Sequence, residues 1–68
     1  KMIDRENLFD VFKIAIDKEN EAYQFYLKAA ENTSNPDVKK LFEEFAKVEL
    51  SHEQKLKDKY RELRENAI

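Results

Sequence analysis

The chain has 68 residues, 41% of them charged, and it contains no cysteine and no glycine. The lack of cysteine excludes disulfides, thiolate zinc sites and iron–sulfur clusters, and the 13 basic and 15 acidic residues are interleaved without the basic stripe that nucleic-acid binding needs. No apolar run approaches the roughly 20 residues that cross a membrane, and no signal-peptide pattern opens the chain, so we expect a cytoplasmic protein without membrane or nucleic-acid partners.

The residue pattern predicts an all-α fold, with a single domain over residues 1–68. The first helix should run over about 5–32 and the second over about 36–66, because both segments are rich in Glu, Lys, Leu and Ala and contain no interior helix breaker. The turn between them is predicted at about 33–35, and a connection this short makes the two helices antiparallel neighbours.

Capping residues set the predicted helix starts. Asp4 is suited to cap the first helix. Pro36 is favoured at the first position of a helix, and a proline keeps the residue before it, Asn35, out of the α region, which makes Asn35 the expected cap of the second helix. Asp37 then faces the positive end of the helix dipole.

Each predicted helix carries one apolar stripe, which polar residues interrupt near its middle. Alternating steps of four and three residues give the a/d pattern of a helix that faces a bundle core. On the first helix the stripe comprises Leu8, Phe12, Ala15, Glu19, Ala22, Tyr26 and Ala29. On the second it comprises Val38, Phe42, Phe45, Glu49, His52, Leu56, Lys59 and Leu63. The long Lys59 side chain can reach outward to water, whereas Glu19, Glu49 and His52 do not suit an apolar stripe.

Folding the hairpin about Ser34 brings these three polar residues to one level. Glu19 lies 15 residues before Ser34 and Glu49 lies 15 residues after it, and His52 follows Glu49 by about one turn on the same face. Buried carboxylates are normally paired or bound to metal, and this cluster contains no Lys or Arg. The residues therefore predict a divalent cation bound by Glu19, Glu49 and His52.

Three segments resemble rubrerythrin and related ferritin-like proteins. Residues 19–26 (ENEAYQFY) are similar to the first ligand helix of that family, residues 49–52 (ELSH) match its Glu-x-x-His ligand pair, and residues 35–44 resemble its inter-helix turn. The resemblance covers nearly the whole chain but only one half of the family's four-helix bundle, whose two Glu and two Glu-x-x-His motifs bind two metals. It implies a homo-oligomer, at least a dimer, in which two hairpins form the bundle and bind two iron ions.

The resemblance also implies a role for each ligand. Glu49 would be the bridging carboxylate, Glu19 a terminal carboxylate and His52 the terminal nitrogen ligand, and these three would be the catalytic residues. The implied reaction is oxidation of Fe(II) by O2 or hydrogen peroxide, of the ferroxidase or peroxide-reducing type, with a separate electron donor. Mn(II) and Zn(II) also suit carboxylate and imidazole ligands.

Four further residues near the ligands in sequence have expected roles. Tyr23 and Tyr26 flank Glu19, where the family often keeps a tyrosine that hydrogen-bonds a carboxylate or quenches an oxidised intermediate. Glu21 and Glu53 are candidates for a carboxylate that orients a ligand or carries iron to the site. For the tyrosines, packing is the more common role of such residues.

Other interpretations of the same residues remain open. Glu19 or Glu49 alone is more often a solvated charge, and His52 alone is more often a satisfied, partly buried histidine. The chain could be a non-catalytic helical hairpin, either an oligomerisation module or a fragment of a larger bundle, as its brevity and Lys1 ahead of Met2 suggest. It could also be an amphipathic hairpin that binds a partner protein.

The size of the chain favours assembly under each interpretation. A chain this short buries a poor core alone, and without disulfides it depends on metal or oligomerisation. Val11, Ile14 and Phe25 lie off the main stripe, and a simple hairpin would leave them exposed. Exposed apolar residues in a line predict a further interface, and hence assemblies above the dimer.

Overall fold

The computed structural model describes residues 5–66, which form two antiparallel α-helices joined by a short turn. Helix α1 spans Arg5–Asn32 and helix α2 spans Pro36–Glu65. They lie side by side in a body measuring 51 × 21 × 15 Å. The predicted all-α hairpin is confirmed, and neither described helix is long and apolar enough to cross a membrane. The expected cap at Asp4 lies outside the described residues.

Hydrogen bonds to the side chain of Asn35, and one across the turn, stabilise the connection between the helices. Asn35 has an extended backbone, and its Oδ1 accepts hydrogen bonds from the backbone N–H of Asp37 at 2.9 Å and of Val38 at 3.1 Å. These bonds satisfy two of the free N–H groups at the start of α2, so Asn35 is confirmed as its cap. Across the turn, Lys39 Nζ donates to the carbonyl oxygen of Ala30 at 3.4 Å, which ties α2 to the end of α1.

The buried apolar residues described are two alanines, and aromatic residues pack near both ends of the hairpin. Ala30 and Ala46 are each 2% exposed. Near the free ends, Phe9 packs edge-on against Tyr60, with the ring centroids 5.5 Å apart. Near the turn, Tyr26 stacks on Phe42 with the centroids 6.1 Å apart. Such aromatic pairs add to the stability that apolar burial supplies, and they hold α1 and α2 together on both sides of the middle.

A single hairpin leaves many large apolar side chains in contact with water. In the described part of the chain, those at least 40% exposed are Val11, Ile14, Phe25, Leu41, Phe45, Val48 and Leu50. The expected exposure of Val11, Ile14 and Phe25 is therefore confirmed, and Lys59 also reaches solvent as expected. Phe45 differs from its predicted place in a core, because one hairpin covers only one side of the stripe to which it belongs.

Candidate metal centre

The three residues singled out in the sequence meet at mid-height of the hairpin. Glu19 lies on α1, and Glu49 and His52 lie on α2. One ligand atom from each residue lies within 4.8 Å of the other two. Two features produce this meeting: Glu19 and Glu49 are equally far from the turn, and the spacing of three residues puts Glu49 and His52 on one face of α2.

The imidazole points at both carboxylates through a single atom. His52 Nδ1 lies 3.6 Å from Glu19 Oε1 and 3.6 Å from Glu49 Oε1. Both distances exceed those of a good hydrogen bond, about 2.7–3.2 Å. A cation with ligand bonds of about 2.0–2.2 Å holds its ligand atoms roughly 3–3.5 Å apart. Small side-chain movements would therefore convert this arrangement into a coordination shell with two oxygen ligands and one nitrogen ligand.

The cluster lies at the edge of the hairpin rather than deep inside it. The side chains of Glu19 and Glu49 are 26% and 22% exposed, and that of His52 is 48% exposed. The ion pairs described for Glu19 and Glu49 are both with His52, so no Lys or Arg neutralises these acids within the described chain. The two half-buried carboxylates therefore lie beside the same imidazole, on a face of the hairpin that another molecule can reach.

The proximity of the two carboxyl groups changes the acidity of one of them. A hydrogen bond with Glu49 is the largest cause that raises the pKa of Glu19 above its ordinary value, and partial burial and the charge of Glu49 raise it further. The neighbouring His52 acts in the opposite direction and only partly offsets these effects. The Glu19 carboxyl group therefore loses its proton less readily than an isolated one, because Glu49 is so close.

The raised pKa of Glu19 leads to a prediction for the metal-free protein. At a pH between the ordinary pKa of Glu19 and the raised one, the folded protein binds more protons than the unfolded chain, so the contribution of Glu19 to stability is greatest in acid. This contribution declines as the pH rises from the ordinary value of 4.5 through the raised one. Glu19→Gln keeps an uncharged hydrogen-bond donor beside Glu49. We therefore expect the variant to unfold a few degrees above the wild type at neutral pH.

Thermal unfolding followed by circular dichroism, with a chelator present and at fixed protein concentration, checks this from about pH 4 to about pH 8. The advantage of Glu19→Gln should grow over the titration window of Glu19 and stay constant above it. Glu21→Gln is the matched control, because Glu21 is exposed two positions along the same helix. Equal unfolding temperatures for Glu19→Gln and wild type at every pH would contradict the proposed repulsion.

An apolar depression adjoins the carboxylates on the open side of the hairpin. It is lined by Tyr26, Phe45, Val48 and Glu49. We call this side, which carries the three candidate ligands and the depression, the ligand face. Of the two expected tyrosines, Tyr26 thus lies beside Glu49, and its ring packs against Phe45 with the centroids 5.3 Å apart.

Glu53 occupies a position that the sequence interpretation did not foresee. It is 6% exposed, the least exposed charged residue described, and it lies between the helices. Asn20 Nδ2 donates to Glu53 Oε1 at 3.2 Å, and Lys57 Nζ lies 3.0 Å from Glu53 Oε2. The hydrogen bond from Lys57, followed by that from Asn20, lowers the pKa of Glu53 and keeps it ionised despite its burial.

The sequence sign of this burial is ambiguous: Glu53 lies seven residues from both Ala46 and Tyr60, which pack in the interior, but Glu49 and His52 fit the apolar stripe equally well. Asn20 gave no comparable signal, since it lies next to Glu19 and off the apolar stripe. Of the other residues near the ligands, Glu21 is exposed and Tyr23 is partly buried. Their suggested roles stay predictions.

Comparison with known proteins places these features in context. A family model described as Rubrerythrin matches residues 2–63, a span that includes both helices almost to their ends and all three candidate ligands. No curated protein and no solved structure gives a significant match to the chain.

Proposed function

Since this chain belongs to the rubrerythrin family, we propose that it is a di-iron carboxylate protein that oxidises Fe(II) with O2 or hydrogen peroxide at a centre formed by two chains. The observation that carries the proposal is the convergence of Glu19, Glu49 and His52 within 4.8 Å without a neutralising Lys or Arg among their described ion pairs. Carboxylate oxygens and an imidazole nitrogen suit Fe(II), with Mn(II) and Zn(II) as alternatives.

The proposed ligand roles are those that the resemblance to the family implies, and the positions of the side chains are compatible with them. Glu49 adjoins the open depression and is proposed as the bridging carboxylate, with Glu19 as a terminal carboxylate and His52 Nδ1 as the nitrogen ligand. Bound iron would supply the redox chemistry: two Fe(II) ions each lose one electron, and one hydrogen peroxide takes up both electrons and two protons to give two waters. Two carboxylates beside one imidazole would offset the charge of a bound divalent cation.

One chain does not offer enough ligands for two metals, and this favours a second copy as the partner. The family site uses four Glu and two His, whereas each hairpin presents two Glu and one His at this level. The ligand face is open: His52 is half exposed, and the exposed side chains of Phe45 and Val48 line the depression beside Glu49. Two hairpins that meet through this face would form a four-helix bundle with six ligands inside it.

The test is a titration with a stated stoichiometry. Protein purified without added metal is loaded anaerobically with Fe(II) and then exposed to air or hydrogen peroxide, and oxidation is followed by absorbance. We expect saturation at about two irons per dimer, a dimeric mass in solution, and a higher unfolding temperature with metal than with chelator. A monomer that binds no iron, with the same unfolding temperature in both conditions, would refute the proposal.

The alternative is a non-catalytic hairpin that serves as an oligomerisation module or as part of a larger bundle. The exposed apolar side chains favour it, because Leu41, Phe45 and Val48 can drive assembly without any metal. In that case the oligomer should form equally well in chelator, and substitution of His52 should leave its stability unchanged. The stability measurements with and without metal therefore distinguish the two functions.

A further inference from the structure

The most buried charged residue described, Glu53, lies next to the candidate ligands but is not one of them. It follows His52 directly in α2, and its hydrogen-bond partner Asn20 follows Glu19 directly in α1. The bond between Asn20 Nδ2 and Glu53 is 3.2 Å to Oε1 and 3.5 Å to Oε2, and it joins residues 33 positions apart in the chain. A polar contact between the helices therefore adjoins the ligands on both of them.

Stability alone does not explain a carboxylate at this position. Apolar residues of similar volume that replace a buried ion pair often leave stability unchanged or increase it. The best-attested use of a polar contact between packed helices is to select one alignment of them. Here another alignment would break the hydrogen bond between the exposed Asn20 and the buried Glu53. Lys57, one turn along α2 and 3.0 Å from Glu53 Oε2, neutralises the charge without contributing an inter-helix contact of its own.

The candidate metal site depends on one particular alignment of α1 and α2. Alanine and aromatic side chains in a repeating stripe tolerate altered packing more readily than a hydrogen-bonded pair does. A slip of one helical turn displaces α1 along α2 by about 5.4 Å, which exceeds the 4.8 Å within which the three ligand atoms now lie. Glu19 would then no longer face Glu49 and His52.

We propose that Asn20 and Glu53 are positioning residues that act together with the short turn to fix the register of α1 on α2, and thereby bring Glu19 opposite Glu49 and His52. The part of this inference that concerns metal affinity rests on the proposed function. The part that concerns register does not, because the pair is formed by this chain's own side chains without any metal.

Register is measured first, on the metal-free protein. The chain has no native cysteine, so Lys13→Cys and Lys47→Cys, at two exposed positions on different helices, accept one spin label each. Labelled protein is mixed with an excess of unlabelled chain, so that the pulsed dipolar experiment reports distances within one hairpin. We expect one narrow distance in the wild type, and a broadened or double distribution, with a shift of about 5 Å, in Asn20→Leu/Glu53→Leu.

Metal binding is measured next, with Co(II) as a spectroscopic probe. The double leucine variant should keep its helicity and unfold at the same or a higher temperature, yet bind Co(II) about tenfold or more weakly with an altered ligand-field spectrum. The single variant Glu53→Gln should keep the narrow distance between the labels and the wild-type Co(II) spectrum, because the glutamine carbonyl still accepts a hydrogen bond from Asn20. Asn20→Ala, which removes only the amide, serves if the double variant does not fold.

The outcomes separate the two proposals. A narrow, unchanged distance in both Asn20→Leu/Glu53→Leu and Asn20→Ala would overturn the positioning role, whatever the metal affinity. A broadened distance in the variants, together with a wild type that binds no Co(II), would uphold the register role and defeat the proposed function. A broadened distance with unchanged Co(II) affinity and spectrum would show that the pair does not position the ligands, and would overturn the inference.

Discussion

Glu49→Ala is expected to lower the initial rate of Fe(II) oxidation about 100-fold or more. Even residues that only orient a metal ligand cost about 10–100-fold in affinity or activity when they are lost, and Glu49 is proposed to bind directly. Its carboxylate belongs to the cluster within 4.8 Å and adjoins the depression on the ligand face. In a symmetric dimer one substitution removes a ligand from each chain, so the centre would lose two bridging carboxylates at once.

The variant is informative because its fold should survive. Glu49 is 22% exposed, and its replacement by alanine removes both the hydrogen bond and the negative charge through which it raises the pKa of Glu19. The metal-free variant should therefore unfold at no lower a temperature than the wild type.

Glu44→Ala is the matched control, since Glu44 is exposed on the same helix and outside the cluster. Added Fe(II) under anaerobic conditions should raise the unfolding temperature of the wild type and the control but not of Glu49→Ala. Oxidation at the wild-type rate by Glu49→Ala would refute the assignment of this ligand.

The hairpin was predictable because local rules and the apolar pattern agree. The Asn35 cap and Pro36 at the first position of α2 are short-range signals, and the structure has both. The level of the cluster was predictable for a geometric reason: two helices of equal rise about one short turn bring residues equally far from it to the same height. Glu19 and Glu49 satisfy that condition, and the structure brings them together with His52.

The burial of Glu53 was not predicted, and the reason is physical. Glu49, His52 and Glu53 are polar residues within little more than one turn of α2, and a stripe defined by spacing alone cannot decide which of them faces α1. That depends on how α1 is rotated against α2, which the whole set of contacts determines, including Ala30 and Ala46. The structure puts Glu53 in the interior and leaves His52 half exposed on the ligand face.

Val48→Glu is expected to convert the proposed dimer into monomers and to abolish Fe(II) oxidation with it. Val48 is 50% exposed in the hairpin and lines the depression beside Glu49, so a second copy that covers the ligand face would bury it. Burial of an unpaired carboxylate costs several kcal/mol, which corresponds to a dimer dissociation constant raised about 100-fold or more. Inside one hairpin the same side chain stays in water, so helicity should be retained.

Leu50→Glu is the matched control for this experiment. Leu50 is 47% exposed, close to the 50% of Val48, and its replacement by glutamate introduces the same change in charge. Two residues along an α-helix correspond to a rotation of about 200°, so Leu50 lies on the opposite flank of α2 from the depression.

Analytical ultracentrifugation with Co(II) present should give a monomer for Val48→Glu and a dimer for Leu50→Glu. A dimeric, metal-loaded Val48→Glu would exclude the ligand face as the interface, and a monomeric Leu50→Glu beside it would place the contact on the other flank. Because the proposed six-ligand centre exists only if two ligand faces meet, the mass of each variant tests the assembly and its rate of Fe(II) oxidation tests the chemistry: Val48→Glu should lose both, and Leu50→Glu should keep both.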